Sequence, residues 1–507
     1  MRAGRGAAAA TVTAALAATL ALGGCGGDDG DDPSRTAGVV PSDVAAYADG
    51  AVKPSDDDRE ALESSLGTLL GDADVDATIA SGLDGLFAGE SISWAEDIEP
   101  WAGERGAIFV VDPDSDGAVV VEIDDEDAAV ETFERLSEPG ADDVADEYDL
   151  GDGDGDGDFG RAAIVEDYAV IGSEAAVAAA VEAADGDSLL DADEFDAAAG
   201  DLSDDRLVTL YVDPGAALDT LIASGEIDDA DGEVVAGALQ EPVGLALGAG
   251  SEQLRAEVSI APGGEGPAVA SSELIERVPD GAWIAVAAGD AGPALASALG
   301  AIGPLVGDLD ELEATIGGID LSELAAATGD AAAYFGGTSL LGIRGAVMLE
   351  ALDAAAVAAF LERLADGLAA SREVEVQPLA GEGEGFTLTP AGVPLQFPFV
   401  LRDDLLVAGL GTEAVEQAFE PDSSLADSDA FGDAAEALGD GDEPIAYVDF
   451  EQMLELLDGI PGLWGDPDLA AARPYLERLD DFVTGAAADD GRSRVTMALT
   501  LRGESSE

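Results

Sequence analysis

The chain repeats its own landmarks in the same order, and this repetition constrains the fold more than any local pattern does. Motifs of the first half recur in the second half, each about 230 to 240 residues later. The paired motifs are Val40-Pro41 and Val278-Pro279, Glu134-Arg135-Leu136 and Glu362-Arg363-Leu364, Gly172-Ser173-Glu174-Ala175 and Gly411-Thr412-Glu413-Ala414, and Tyr211-Val212-Asp213 and Tyr447-Val448-Asp449. This pattern is typical of a tandem duplication with loop insertions. We therefore predict repeat one over residues 39–261, a linker over 262–274, repeat two over 275–503 and a tail over 504–507.

Each predicted repeat contains the same series of strand and helix patterns. In repeat one, β-rich runs at residues 108–111 and 118–121 flank a turn and predict a hairpin. Val130, Phe133 and Leu136 then follow at helical spacing. Many hairpins with interspersed helices predict an α+β fold of two tandem homologous repeats. In each repeat we expect a mainly antiparallel sheet with helices packed on one face.

The first 24 residues have the pattern of a signal peptide. Arg2 and Arg5 precede an uncharged apolar stretch, which ends at Leu22-Gly23-Gly24-Cys25. This ending resembles a bacterial lipobox, and Cys25 is the only cysteine of the chain. We expect lipid attachment at Cys25, with a diacylglycerol on the sulfur and palmitate as an acyl chain. A flexible acidic tether is predicted over residues 25–38. The alternative is a free cysteine beside an ordinary cleavage site.

Composition excludes some partners and permits a large core. With 109 acidic and 20 basic residues, the formal net charge is −89, so nucleic acid and anionic lipid headgroups are repelled. Hydrophobic residues make up 47% of the chain, which separates it from the disordered class. A salty habitat or a genome-wide bias toward acidic residues would explain the charge as well as a cation-binding function would.

The absence of several residue types and motifs limits the chemistry. The sequence has no histidine, which excludes Ser-His-Asp triads and the commonest zinc ligands. With Cys25 acylated, no thiol remains for catalysis. The sequence contains no phosphate-binding or dinucleotide-binding glycine motif. We predict no catalytic residue, no cofactor and no metal site.

Two aspartate-rich loops are the best metal candidates, and both fail on spacing. Residues 152–158 alternate aspartate and glycine like the opening of an EF-hand loop. The closing glutamate of such a loop would fall at position 163, which is Ala163. The loop that starts at Asp112 has Ile123 at the matching position. Weak, nonspecific cation binding is the better interpretation.

Three other features allow a ligand-binding interpretation beside a structural one. Arg255 and Arg494 recur on the closing strands and could meet an anionic ligand, although pairing with carboxylates is favoured. Residues 393–399 form an apolar insertion that suggests a docking loop, a lid or a proline-interrupted edge strand. The tryptophans could line a cleft, but large aromatic residues are more often core. They are Trp94, Trp101, Trp283 and Trp464.

Several motifs together resemble a known family. They are Val40-Pro41 with Tyr47, Glu99-Pro100-Trp101-Ala102-Gly103-Glu104, Val170-Ile171-Gly172-Ser173-Glu174, Ser188-Leu189, Phe195 and Tyr211-Val212-Asp213. The chain resembles the bacterial family catalogued as domain of unknown function 3352, found in exported and membrane-attached proteins. Repeat two has Leu324 where Trp101 would align. The resemblance implies no established activity, and its motifs have the character of caps, turns and core aromatics.

The resulting expectation is a non-enzymatic lipoprotein, anchored by lipid at the extracytoplasmic face of a bacterial membrane. Its duplicated body would bind a protein partner or a small apolar ligand. Two alternatives stay open: a carboxylate-based hydrolase of the cell envelope, and an acidic cation-binding component of the envelope.

Overall fold

A computed structural model describes most of the chain after residue 34. The described residues are 35–70, 75–87, 92–112, 116–137, 147–150, 159–200, 202–203, 206–215, 241–250, 252–260, 270–293, 321–339, 342–369, 374–379, 381–392, 395–439, 441–489 and 492–502. The predicted signal peptide, residues 25–34 of the predicted tether, most of the predicted linker and the predicted tail lie outside them.

The chain divides into two compact units. Unit 1 comprises Met1–Gly266 with Asp489–Arg494 and Gly503–Glu507. Unit 2 comprises Pro267–Ala488 with Val495–Arg502.

The described part of unit 1 alternates strands with helices. Its helices are α1 (Asp56–Leu70), α2 (Val75–Leu86), α3 (Glu126–Leu136), α4 (Glu174–Ala184) and α5 (Asp193–Ala199). Its strands are β1 (Ala46–Ala51), β2 (Ala102–Asp112), β3 (Asp116–Ile123), β4 (Glu147–Asp149), β5 (Arg161–Val165), β6 (Tyr168–Gly172), β7 (Val208–Val212), β8 (Val243–Gly250) and β9 (Gln253–Ile260). Short 3-10 turns at Arg35–Val39 and Leu189–Asp191 and a π-helical turn at Trp94–Ile98 complete it.

The strands of unit 1 form an antiparallel sheet around β1. Strand pairing gives the order β9-β8-β7-β1-β2-β3-β6-β5-β4. The predicted hairpin is confirmed, with Phe109 of β2 opposite Ala118 of β3. Both strands continue past the predicted runs. The extension of β2 includes Gly103, Glu104 and Arg105, and its pairing with β1 reaches Arg105, which lies opposite Ala51.

Helices cover both faces of this sheet, so the expectation of helices on one face is wrong. Val120 of β3 faces a core built with α4 and α5, whereas its neighbours Val119 and Val121 face a second core built with α1, α2 and α3. The strand is apolar at consecutive positions, which is the pattern of a strand buried on both faces. The alternating pattern expected for a half-exposed sheet is missing from β3.

Local sequence explains where the helices begin. Ser173 is the N-cap of α4, since its hydroxyl accepts a hydrogen bond from the Ala176 amide at 3.1 Å. Asp125 caps α3 in the same way, through the Ala128 amide at 3.1 Å. Acidic residues then occupy the first turn of each helix, where the positive end of the helix dipole favours them.

The described part of unit 2 has a matching series of elements. Its helices are α6 (Leu321–Ala326), α7 (Ala354–Ala369), α8 (Thr412–Phe419), α9 (Asp429–Glu436), α10 (Phe450–Asp458) and α11 (Pro467–Leu476). Its strands are β10 (Ala282–Ala288), β11 (Thr328–Gly336), β12 (Arg344–Ala351), β13 (Val374–Pro378), β14 (Glu384–Pro390), β15 (Phe397–Arg402), β16 (Leu405–Gly409) and β17 (Glu443–Asp449). The closing strands are β18 (Leu479–Asp489) and β19 (Arg492–Leu501), of which Asp489 and residues 492–494 are assigned to unit 1.

The sheet of unit 2 has the order β18-β17-β10-β11-β12-β16-β15-β14-β13. This order corresponds to β8-β7-β1-β2-β3-β6-β5-β4 of unit 1, with β13 as an additional strand. The central strands make the register clear. Tyr47 lies opposite Phe109 and Tyr211, and Ala285 lies opposite Tyr334 and Tyr447.

The register also corrects one sequence pairing. Gly172 lies opposite Ala118, and Gly409 lies opposite Ala346. Gly172 therefore corresponds by strand pairing to Gly409 and not to Gly411. Gly411 has φ +86°, a left-handed conformation that favours glycine, and it precedes α8 as its N-cap.

The recurring valine-proline motifs have one role in both units. The Leu189 amide donates to the Val40 carbonyl at 2.7 Å, and the Leu425 amide donates to the Val278 carbonyl at 2.8 Å. Each contact fixes a 3-10 turn against the segment that leads into the central strand. These family motifs are structural, as their cap-and-turn character indicates.

Candidate functional site

One face of the unit 2 sheet exposes apolar side chains. Val286 of β10 lies opposite Ala333 of β11, which lies opposite Val347 of β12. In the next row, Ile284 lies opposite Phe335. We call these five residues the apolar face.

The corresponding positions in unit 1 are buried. Phe335, Val286 and Val347 have 46%, 44% and 43% of their surface exposed. By strand pairing, Phe335 corresponds to Val110, Val286 to Ala48, and Val347 to Val119. These residues of unit 1 have only 6%, 2% and 4% of their surface exposed, in that order. In unit 1, Val119 packs in the core that includes α1, α2 and α3. Exposed apolar groups in a contiguous row mark interaction sites more often than isolated ones do.

An indole ring borders the apolar face. A β-bulge between Ala282 and Ile284 accommodates Trp283, whose ring stacks on Phe335 at 6.3 Å between centroids and 26° between planes. The Trp283 Nε1–H is buried and has no hydrogen-bond acceptor among the residues that the structure describes. The two rings add a flat aromatic surface to the aliphatic row.

Unit 2 also contains an acidic cleft of about 460 Å³. Helices α9 and α10, the end of β17 and the start of β18 position its walls. The lining residues are Ala430, Asp433, Ala434, Asp449, Glu451, Gln452, Glu455, Asp480, Asp481 and Thr500. We call this the acidic cleft.

A hydrogen-bonded pair, Asp481 and Tyr447, lies at the wall of the acidic cleft. The Tyr447 hydroxyl donates to Asp481 Oδ1 at 2.6 Å, and Phe431 packs edge-on against the tyrosine ring. Asp481 is 6% exposed and Tyr447 1% exposed. Burial raises the pKa of Asp481 to about 6, and nearby carboxylates add to the effect. Burial also raises the pKa of Tyr447 well above its ordinary value.

Three further carboxylates of the acidic cleft are held by the backbone or by one arginine. Asp449 Oδ1 accepts the Gln452 amide at 2.8 Å and so caps α10. Arg502 pairs with Glu451 at 3.2 Å and with Asp480 at 3.4 Å. Carboxylates therefore outnumber the guanidinium at this site, and any further negative charge there is disfavoured.

A second cleft of about 450 Å³ in unit 2 carries arginine side chains among carboxylates. Arg402 lies 4.3 Å above the Phe419 ring and reaches Glu416 at 3.4 Å. Arg277 and Asp404 are further lining residues. This mixture of both charges does not select one ligand class.

The predicted lipid-attachment residue Cys25 and the aspartate run 152–158 lie outside the described residues, as do residues 113–115 of the other acidic loop. Within the described ranges, no group of three histidine, cysteine, aspartate or glutamate residues could hold a metal ion. None of the helices in the described part of the chain combines the length and apolar character needed to cross a membrane.

The tryptophans divide between core and surface. Trp94 and Trp101 are buried in unit 1, and the Trp101 indole donates to the Asp97 carbonyl at 2.6 Å. Trp464 is partly exposed, and the Arg473 guanidinium lies 4.9 Å from its ring centroid. Only Trp283 borders the apolar face. The core interpretation is confirmed for the first two and wrong for the others.

The arginine and insertion candidates have structural roles. Arg255 of β9 pairs with the buried Glu257 at 2.9 Å, as the carboxylate-pairing interpretation predicts, and Arg494 lies on β19. Residues 393–394 lie outside the described residues. Phe397–Arg402 forms β15, which pairs with β14 on one side and β16 on the other. The predictions of a docking loop, a lid or an edge strand are therefore wrong for these residues. Pro398 precedes the first residue paired with β16, so its missing N–H is tolerated.

Sequence reasoning missed both sites. No local pattern distinguishes Asp481 among 109 acidic residues. One signal was available: Tyr447 and Tyr211 are equivalent in the repeated motif, so their partners could have been compared. For the apolar face, no pattern distinguishes Val347 from its buried counterpart Val119.

Comparisons with known proteins give a family but no activity. No curated protein matches the sequence. A solved structure, crystal form III of TP0453, shares 12% sequence identity with a TM-score of 0.23, over 45% of this chain and 80% of that chain. Residues 6–501 match the family described as a protein of unknown function, DUF3352, as the motif resemblance predicts. Since this match spans nearly the whole sequence, the chain belongs to the DUF3352 family.

Proposed function

We propose that this protein is a non-enzymatic lipoprotein, anchored through Cys25 at the extracytoplasmic face of a bacterial membrane, which binds a small apolar ligand on the apolar face of unit 2. The observation that carries the ligand proposal is the exposure of Phe335, Val286 and Val347 at positions that are buried in unit 1. Covering each of these half-exposed side chains would contribute about 1 kcal/mol.

The proposal includes a duplicated body. Its support is the matching strand order of the two units and the two 3-10 turns that Val40 and Val278 fix in the same way. After a duplication, one copy can keep a buried sheet face while the other exposes it for binding. The chain's net charge of −89 favours an uncharged ligand over an anionic one.

Titration with the neutral dye Nile red tests ligand binding. We expect the purified chain to bind the dye with enhanced fluorescence, and Phe335→Ser to weaken binding about tenfold. Tyr475→Ser is the matched control, because Tyr475 is an equally exposed aromatic residue of unit 2 on α11, outside the apolar face. Equal loss of binding in both variants, or no binding by the native chain, would contradict the proposal.

Lipid attachment has a separate test. In cells that express the full chain with metabolic labelling by a palmitate analogue, we expect the label and the protein in the membrane fraction. Cys25→Ser should lose the label and move to the soluble fraction, because one thioether carries the anchor. An unchanged distribution of Cys25→Ser would exclude anchoring through Cys25.

The acidic cleft favours a second candidate, a carboxylate-based hydrolase. A carboxyl group with a pKa of about 6 could act as a general acid near neutral pH, and Asp449 lies opposite it in register. Of the described residues that line the cleft, none is aromatic, so a sugar-stacking surface is missing. New reducing ends released from envelope polysaccharide by the native chain, and not by Asp481→Asn, would establish this alternative.

A further inference from the structure

The buried pair Asp481 and Tyr447 joins β18 to β17 at the wall of the acidic cleft. The 2.6 Å hydrogen bond connects the two side chains across the strands. The Asp481 amide also donates to Thr500 Oγ1 at 2.9 Å, which ties β18 to β19. Asp481 therefore holds three strands together through its side chain and its backbone.

The groups that face Asp481 are mostly negative. Asp449 lies opposite it on β17, and Asp480 precedes it on β18. Carboxylates from α9 and α10 complete the lining of the acidic cleft, and Arg502 is the cation near them. The carboxylates from the helices are Asp433, Glu451 and Glu455. Like charges directly opposite in a strand pair destabilise it.

Strand β17 also forms the border of the apolar face. Tyr447 points into the core of unit 2, and its neighbours Ala446 and Val448 alternate to the other side of the strand. Ala446 lies opposite Val286, and Val448 lies opposite Ile284. A shift of β17 at Tyr447 therefore reaches two residues of the apolar face through one strand pair.

We propose that proton uptake by Asp481 regulates ligand binding at the apolar face, with β17 as the shared element. This inference rests on the proposed ligand-binding function. With Asp481 neutral, β17 and β18 stay paired and the apolar face keeps its shape. When Asp481 ionises, repulsion from Asp449 and Asp480 loosens this strand pair. The transition falls near pH 6, where burial places the pKa of Asp481.

Nile red affinity measured from pH 5 to pH 7.5 on the full chain tests the inference. We expect about fivefold tighter binding at pH 5 than at pH 7.5, the size of a modest coupling between two sites. Asp481→Asn should bind equally at all pH values, at the level of the native chain at pH 5. Tyr447→Phe removes a hydrogen bond to the ionised carboxyl, so the midpoint should move to higher pH. The exposed control Asp404→Asn should keep the native profile.

The outcomes separate the two proposals. Binding that is lost in Phe335→Ser but independent of pH in the native chain would overturn the regulation and leave the ligand site intact. A pH dependence that persists in Asp481→Asn would assign it to another group and also overturn the inference. Absence of dye binding at every pH would overturn the ligand site and its regulation together.

Discussion

Unit 1 and unit 2 share a strand order but differ in what covers one face of the sheet. The clearest example is a pair of identical residues. Val119 and Val347 occupy corresponding positions, yet the first is buried and the second is nearly half exposed. Burial of a strand face is thus decided by the elements packed against it, and not by the strand's own residues. Four comparisons, each made with substitutions, test how far this difference between the units extends.

The largest difference is expected for aspartate at the two valine positions. Val119→Asp would place a charge in the core of unit 1 and should lower the free energy of unfolding by about 4 kcal/mol or more. Val347→Asp leaves the charge in contact with water, and we expect a change within about 0.5 kcal/mol. Urea unfolding of both variants measures the difference. Similar losses would show that the apolar face is covered in solution.

The second largest difference is expected for a buried ion pair of unit 1. Arg105 Nη2 lies 2.8 Å from Oδ2 of Asp49, which is fully buried, whereas Ala287 and Asp330 occupy the corresponding positions of unit 2. Arg105→Met should lower the free energy of unfolding by about 3 to 5 kcal/mol, because it leaves the buried Asp49 carboxylate without its arginine.

For comparison, Asp330→Ala should lower the free energy of unfolding by about 2 kcal/mol, since it loses the hydrogen bonds from the Ser272 hydroxyl and the Asp290 amide. Urea unfolding again provides the measurement. A cost for Arg105→Met no larger than that of Asp330→Ala would mean that the ion pair contributes nothing specific to unit 1.

We expect Asp481 of unit 2 to make stability depend on pH, with no equivalent contribution from its counterpart position in unit 1. Strand pairing places Pro242 where unit 2 has Asp481, so the equivalent position of unit 1 carries no carboxyl group. The folded-state pKa of Asp481, about 6, lies above its ordinary value of 3.8. The folded chain therefore holds this proton more tightly than the unfolded chain does.

The stabilisation from this proton is complete below about pH 4 and is lost as the pH rises through 6, a change of about 3 kcal/mol. Urea unfolding at pH 4, 5, 6 and 7 should show this loss in the native chain, and Asp481→Asn should remove it from the profile. A profile of Asp481→Asn that parallels the native one would show that other groups cause the pH dependence.

The smallest difference concerns the helix starts. Ser173→Ala removes the hydroxyl that caps α4 and should lower the free energy of unfolding by about 1 kcal/mol. Thr412→Ala should leave the free energy of unfolding almost unchanged. The N-cap of α8 is Gly411, so no side chain caps this helix. Thermal unfolding of both variants is the measurement. Equal losses would mean that Thr412 caps α8 in solution as Ser173 caps α4.

The sequence predicted elements with strong local patterns and missed the strands at the centre of each sheet. The hairpin of β2 and β3 has β-branched runs in both strands, and the cap at Ser173 is a local hydrogen bond. Strand β1 is made of alanine, glycine, aspartate and one tyrosine, residues with no β preference as a group. It is a strand because β2 and β7 both pair with it.

The candidate sites were less accessible to sequence reasoning than the fold was. Asp481 acquires a raised pKa because the folded chain buries it and brings Asp480 and Asp449 near it, while the hydrogen bond from Tyr447 lowers this pKa in part. Val286 and Phe335 belong to an ordinary apolar strand pattern, which predicts burial rather than exposure.

By itself, the sequence determined the family, the paired motifs with their caps and turns, and the mainly antiparallel α+β class, because each depends on residues close together in the chain. The tertiary structure alone decided that helices cover both faces of the unit 1 sheet, that the apolar face of unit 2 is exposed, and that Asp481 meets Tyr447. The physical reason is that burial and pKa are set by neighbours distant in sequence, which a one-dimensional pattern does not specify.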